Sequence, residues 1–136
     1  MRYLVFGDVH GNLPALEKML SKEEGNYDKL ISHGDVVNYG PWSNECVDLL
    51  NDFNSICLMG NHEEFYIKKE YPGQNLVAKS FFEFCSPKFS RNELISRYKQ
   101  FEDLFDYRII HSINNLYFFP DTDYSTMDFD RNYIFG

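Results

Sequence analysis

Residues 3–11, Tyr3-Leu4-Val5-Phe6-Gly7-Asp8-Val9-His10-Gly11, run from four apolar side chains into an acid and an imidazole flanked by glycines. An apolar run without polar alternation predicts a strand buried on both faces that hands its next residues to a loop. A helix should follow at once. Asn12 can cap it, Pro14 suits its first turn, and Leu13, Leu16, Met19 and Leu20 recur at helical spacing up to about Glu24-Gly25. The same order then returns. Tyr27 to Ser32 reads as a strand ending at His33-Gly34-Asp35, and Ser55 to Met59 as a strand ending at Gly60-Asn61-His62-Glu63. Between them Val36 to Trp42 is loop-like, and Ser43 can cap a helix that carries Cys46, Val47, Leu49 and Leu50. Alternation of strand, loop and helix predicts an α/β fold with a parallel sheet and ligand-binding loops at the carboxyl ends of its strands.

Farther along, residues 64–103 read as helical, with Phe81, Phe82 and Phe84 on one short segment and Leu94, Ile95 and Tyr98 on another. This stretch and its continuation are locally basic, through Lys68, Lys69, Lys79, Lys88, Arg91, Arg97, Lys99 and, just beyond it, Arg108, which reads as a solvated helix face, the alternative being a cap that helps attract an anionic substrate. Tyr107 to His111 and Leu116 to Phe119 read as strands, and Tyr133-Ile134-Phe135 opens another just before Gly136. Asp121, Asp123, Asp128 and Asp130 lack the glycine and glutamate positions of a calcium loop and read as a solvated loop.

With 136 residues, the chain has the length of one domain, expected to span 1–136. Hydrophobic residues make up 43% and aromatic residues 18%, enough to build a core and to exclude a disordered chain. Thirteen basic against 21 acidic side chains leave a net charge of −8, which argues against duplex nucleic-acid binding, because that affinity comes from Lys and Arg displacing counterions. Any phosphate recognised here needs another cation. Cys46, Cys57 and Cys85 are odd in number and unpaired in spacing, so neither a disulfide framework nor a zinc knuckle is expected, and a reducing, cytoplasmic setting fits. No stretch has the apolar length of a signal sequence or a membrane span.

Neighbouring strand ends converge in a parallel sheet, so the three Gly-Asp or Gly-Asn loops should meet. Asp8 and His10, two apart across a turn, can chelate one ion; Asp35 can bridge two; the Asn61 amide oxygen can serve the second. Carboxylate, imidazole and amide oxygen suit manganese, iron, zinc or magnesium more than copper or an iron-sulfur cluster. Two such ions can clamp a phosphoryl group and activate a water. His62, one residue beyond Asn61, is placed to face the substrate as general acid for a departing alkoxide. His33 reads as packing, and Tyr39 and Trp42 as loop residues able to line a pocket.

With GDVHG at 7–11, GDVVNYG at 34–40 and GNHE at 60–63, the sequence resembles the calcineurin-like metallophosphoesterases. The likeness extends to small bacterial and phage members through GDVHGNLPALEKML at 7–20 and GDVVNYGPWSNECVDLL at 34–50, and thins after residue 63. The resemblance implies a four-layer α/β/β/α sandwich and hydrolysis of phosphomonoesters or phosphodiesters by metal-bound hydroxide at a dinuclear centre. Manganese is the first choice of ion, with Fe, Zn, Ni or Mg as the others. Position by position it assigns Asp8 and His10 to the first metal, Asp35 to the bridge, Asn61 to the second metal and His62 to the acid. His111, at the end of Ile109-Ile110-His111, fits a later second-metal ligand, although Ser112 follows where the family has glycine. Asn38 and Tyr39 stand where the protein-phosphatase branch carries Asp-Arg, a substrate-binding position. An asparagine there can hydrogen-bond the histidine but brings no charge to it.

Tyr133-Ile134-Phe135-Gly136 resembles the lead-in to the family's Gly-His-x-His loop, so the domain is expected to lack its last strands and two histidines. That departure motivates the rival reading, an interaction scaffold that keeps the fold with impaired catalysis, as a retromer subunit of the superfamily does. The intact early motifs favour the enzyme.

Overall fold

A computed structural model of the chain describes residues 1–100 together with the strand backbones at 116–119 and 132–135. Strands β1 (Tyr3–Phe6), β2 (Lys29–Ser32) and β3 (Ile56–Cys57) form a parallel sheet in the order β1-β2-β3. Its register pairs Tyr3 with Lys29 and Ile31 with Ile56. Helices α1 (Leu13–Lys22) and α2 (Ser43–Asp52) make the two crossovers, and α3 (Asn61–Lys68), α4 (Leu76–Cys85) and the single turn α5 (Asn92–Ile95) follow. The expected mixed α/β order with a parallel sheet is therefore present. Leu116–Phe119 (β4) and Asn132–Phe135 (β5) pair in parallel, as the apolar runs there predicted for strand character. The expected strand Tyr107 to His111, the Asp121 to Asp130 loop and the four-layer arrangement lie outside the described residues.

Side-chain alternation along the strands divides the core. Leu4, Phe6, Leu30 and Cys57 pack with Leu16 and Leu20 of α1, Cys46, Val47 and Leu50 of α2, Tyr66 of α3, Phe82 of α4 and Ile95 of α5. Tyr3, Val5, Ile31, Ile56 and Leu58 make a second cluster on the other face. Successive strand residues point to opposite faces, so all five helices cover one side of the sheet. Burial of each large aliphatic side chain contributes roughly 1.5–3 kcal/mol. The strand at 3–6 is apolar because both its faces are packed, although each of its residues is only half-buried.

Several boundaries differ from the sequence reading for local reasons. β2 starts at Lys29 because Asp28 turns back to accept from the Arg2 backbone N–H at 2.6 Å, tying the chain start to the strand entrance. Beyond β3, Leu58 N–H still donates to Ser32 O at 2.8 Å, and Lys99 bonds the opposite edge: its N–H donates to Cys57 O and its carbonyl accepts from Met59 N–H, both at 2.8 Å. Asn12 does cap α1, accepting from Ala15 N–H at 3.2 Å. Ser43 does not cap α2. It is the first helical residue, and its hydroxyl accepts from Asn38 N–H at 3.0 Å instead. Asn61, His62 and Glu63, expected in a loop, form the first turn of α3 behind an extended Gly60. Residues 69–75 and 89–91 interrupt the expected helical stretch, and the 86–91 segment is held to α2 by the Arg91 guanidinium gripping Asp48 at 2.8 and 3.1 Å.

Gly7 is where β1 leaves the sheet, and the imidazole of His33 lies directly over it, so a side chain at this position would fall on the ring. Gly7→Ala is expected to destabilise the fold by about 1–3 kcal/mol, the usual cost of forcing a methyl into a filled space. Urea unfolding of the two proteins side by side checks this, and an unchanged midpoint would contradict the packing.

Candidate metal centre and active site

The ladder between β1 and β2 continues beyond the strands. Asp8 N–H donates to Gly34 O at 3.2 Å, His10 N–H to Asp35 O at 2.9 Å and Gly11 N–H to Val36 O at 2.7 Å. Gly40 N–H then donates to His10 O at 2.8 Å, and Trp42 N–H to Gly11 O at 3.1 Å. The two loops are thus zipped together by main chain, and a Cβ on Gly11 would meet the backbone of Gly40. Gly11 itself has φ +64°, a conformation glycine adopts at no steric cost.

Non-glycine residues in the same loops take left-handed backbone: Asp8 (φ 53°), His10 (45°), Asp35 (56°), Asn38 (76°) and Tyr39 (67°). Among the described residues only Asn54 and Lys69 share this feature. Each such residue costs on the order of 1–3 kcal/mol, and strain of this kind concentrates where side chains are aimed for function.

The aiming is visible in what converges. One ligand atom from each of Asp8, His10 and Asp35 lies within 4.8 Å of the others. His10 Nδ1–H donates to Val37 O at 2.9 Å, which leaves Nε2 as the unprotonated nitrogen, 3.5 Å from Asp8 Oδ1. Asp35 is buried, and its Oδ1 accepts the His62 backbone N–H at 3.2 Å. Burial, and after it the neighbouring Asp8 carboxylate, raises the Asp35 pKa, with the His62 N–H and His10 opposing. Two carboxylates and an imidazole lone pair held this close suit a divalent cation, whose charge removes the repulsion that their proximity creates. Gly60 packs against the Asp35 carboxylate, and a side chain there would collide with it.

His62 sits behind this cluster, its ring centroid 4.8 Å from that of His10, 5.2 Å from Tyr39 and 5.4 Å from Phe65. Burial, and secondarily the His10 ring, lowers its pKa to about 4. Asn38 Nδ2 lies 3.1 Å from His62 Nδ1, and the Tyr66 hydroxyl donates to Asn38 Oδ1 at 3.2 Å. Asn38 has 0% exposure, so this side chain, expected beside the substrate, instead contacts His62. Tyr39 is half-buried, with its ring 4.9 Å from His10 on one side and 5.3 Å from the partly exposed Phe81 on the other. Asn61 is exposed at the first position of α3, next to Gly60. His111 lies outside the described residues. Trp42 is exposed, and His33 packs on Gly7 with its pKa lowered by burial.

Sequence reading missed two groups. Glu63 is fully buried, its Oε1 accepts Val36 N–H at 3.3 Å, and burial with the nearby Asp35 pushes its pKa up to about 8. It pins the Asp35 loop to α3. Tyr66, three residues later on the same inner face of α3, was signalled only by helical spacing, which marks a core position and says nothing of its hydroxyl.

The cysteines carry no chemistry in this arrangement: Cys46 and Cys57 are buried, and burial pushes both thiols up to about 12. Among the described residues no helix is long and apolar enough to cross a membrane.

Comparison with known proteins agrees with this geometry. The chain is similar to a metallophosphoesterase from Sphaerobacter thermophilus, with 35% identity and a TM-score of 0.58 over 72% of this chain and 41% of that one. It is 41% identical over 68 residues to the uncharacterized protein MJ0912 of Methanocaldococcus jannaschii, covering 48% of this chain and 28% of that protein. It is 33% identical over 75 residues to serine/threonine-protein phosphatase 1 of Salmonella typhimurium, covering 54% and 35%. The chain therefore spans well under half the length of each. The calcineurin-like phosphoesterase pattern matches residues 1–133, and with the strand-end motifs, the parallel sheet and the Asp8-His10-Asp35 cluster accounted for, the chain belongs to the calcineurin-like phosphoesterase family.

Proposed function

We propose that this protein is a metal-dependent phosphoesterase that hydrolyses phosphomonoesters or phosphodiesters at a dinuclear centre. The observation that carries the reading is the convergence of Asp8, His10 and Asp35 within 4.8 Å, with the His62 ring beside them. Asp8 and His10 would hold the first ion, Asp35 would bridge, and Asn61 with His111 would serve the second. Bound divalent ions, manganese first, supply the charge that neutralises phosphoryl oxygens and the acidity that makes water a nucleophile near neutral pH.

The chain's own groups do the rest. Asp35, held by the His62 N–H, keeps the two loops in one orientation toward the ions. The ring of His62 is fixed at Nδ1 by Asn38, which leaves the Nε2–H to donate a hydrogen bond to the leaving oxygen and stabilise its developing charge. Tyr39 closes the wall between His10, His62 and Phe81, where a substrate substituent would lie. The acidic surface, with a net charge of −8, gives a phosphate ester no other source of attraction as strong as the ions.

Hydrolysis of bis-p-nitrophenyl phosphate with manganese, beside a chelated control, tests the reading. Asp8→Ala and Asp35→Ala should each remove most of the rate, and full activity in Asp35→Ala would contradict it. His62→Ala should lose about 10²-fold or more on an alkyl ester, which needs a proton on its leaving group, and less on a nitrophenyl ester.

Gly60→Ala gives a second test, through metal affinity. Its methyl would displace the Asp35 carboxylate, and manganese binding measured by calorimetry should weaken by about 10–100-fold with the fold retained. Unchanged affinity would remove Asp35 from the ligand set.

A further inference from the structure

Behind His62 lies a set of hydrogen bonds among buried groups. Asn38, Ser43, His62 and Tyr66 are all buried. A backbone N–H can only donate, and that of Asn38 donates to Ser43 Oγ at 3.0 Å. The phenol donates its single hydrogen to Asn38 Oδ1 at 3.2 Å, and the amide nitrogen of Asn38 faces His62 Nδ1 at 3.1 Å. The phenol thus gives its hydrogen to the amide oxygen, which leaves the amide N–H₂ toward the imidazole.

We infer that Tyr66 is a positioning residue for His62: by donating to Asn38 Oδ1 it fixes which end of the Asn38 amide meets the imidazole, so that His62 Nδ1 accepts and the ring proton resides on Nε2. The amide alone does not decide this. Turned over, Asn38 would offer Oδ1 to His62 and stabilise the opposite tautomer, with the proton on Nδ1. That arrangement would point the amide N–H₂ at the phenol and take from the buried Tyr66 hydrogen the Oδ1 acceptor it has here. A phenylalanine at 66 would fill nearly the same space and impose no direction.

The consequence for the site is a matter of which nitrogen faces it. His10 and His62 stand 4.8 Å apart, centroid to centroid, and are held as opposite tautomers. His10 is fixed at Nδ1–H by Val37 O and presents a lone pair, as a ligand does. His62 is fixed as an acceptor at Nδ1 and presents an N–H, as a donor to a leaving oxygen does. Two neighbouring imidazoles thus receive different tasks from the second atoms behind them. This deepens the phosphoesterase reading and rests on the role given there to His62.

The test is long-range ¹⁵N–¹H correlation of the histidine rings in the full chain, chelated and zinc-loaded, at mildly alkaline pH. Wild type should show His62 protonated at Nε2 and His10 at Nδ1. Tyr66→Phe should erase the Nε2–H preference of His62 while His10 keeps its own tautomer, which reports an intact site. Asn38→Asp, which can only accept, should move the His62 proton to Nδ1 and covers the case in which Tyr66→Phe does not fold. A wild-type His62 protonated at Nδ1, a folded Tyr66→Phe with an unchanged tautomer, or Asn38→Asp still at Nε2–H would each overturn the inference. In turnover, Tyr66→Phe should lower kcat and leave KM in place. A wild-type chain with no hydrolysis would sink the phosphoesterase reading and leave the tautomer measurement standing.

Discussion

Three main-chain hydrogen bonds, from Asp8, His10 and Gly11 to Gly34, Asp35 and Val36, are the constraint on which the rest of the site depends. They prolong the β1/β2 ladder past the last paired residues, Phe6 and Ser32, into what would otherwise be two independent loops. A loop held only by its ends would leave Asp8, His10 and Asp35 free to move apart, as two close carboxylates tend to do without a cation. Zipped to its neighbour, each loop presents its ligand at a fixed place.

This rigidity has opposing costs that the fold absorbs elsewhere. Five non-glycine residues of the site loops adopt left-handed backbone, and Asp35 and Glu63 are carried into low-dielectric surroundings. The compensation lies in the helical layer: α1, α2, α3, α4 and α5 all bury apolar side chains on one face of the sheet. A stable layer beneath strained loops is the usual division between scaffold and chemistry. Glu63 joins the two, since it stands in the first turn of α3 and bonds the main chain of the Asp35 loop.

Much of this was legible in the sequence because it depends on local order. Apolar runs ending in Gly-Asp or Gly-Asn have few structural meanings, and repeated three times with helices between them they specify a parallel sheet and the edge where ligands gather. Asp8, His10, Asp35 and His62 follow from that edge. The less legible features depend on three-dimensional partners. Ser43 looks like a helix cap in sequence, yet its hydroxyl is claimed by the Asn38 main chain. Asn38, from its motif position, suggests the bond to His62 but not the Tyr66 hydroxyl that meets it from the other side. The pairing of Lys99 with the outer edge of this strand, 42 residues after Cys57 in the chain, is likewise announced by no local pattern.

The central claim is that the three strand-end loops make one metal centre. Anomalous diffraction at the manganese edge, from crystals of this chain grown with manganese, tests it most directly. The account predicts a peak within bonding distance of Asp8, the His10 imidazole and Asp35. Manganese bound elsewhere on the chain, or absent from this cluster at a concentration that supports hydrolysis, would contradict it.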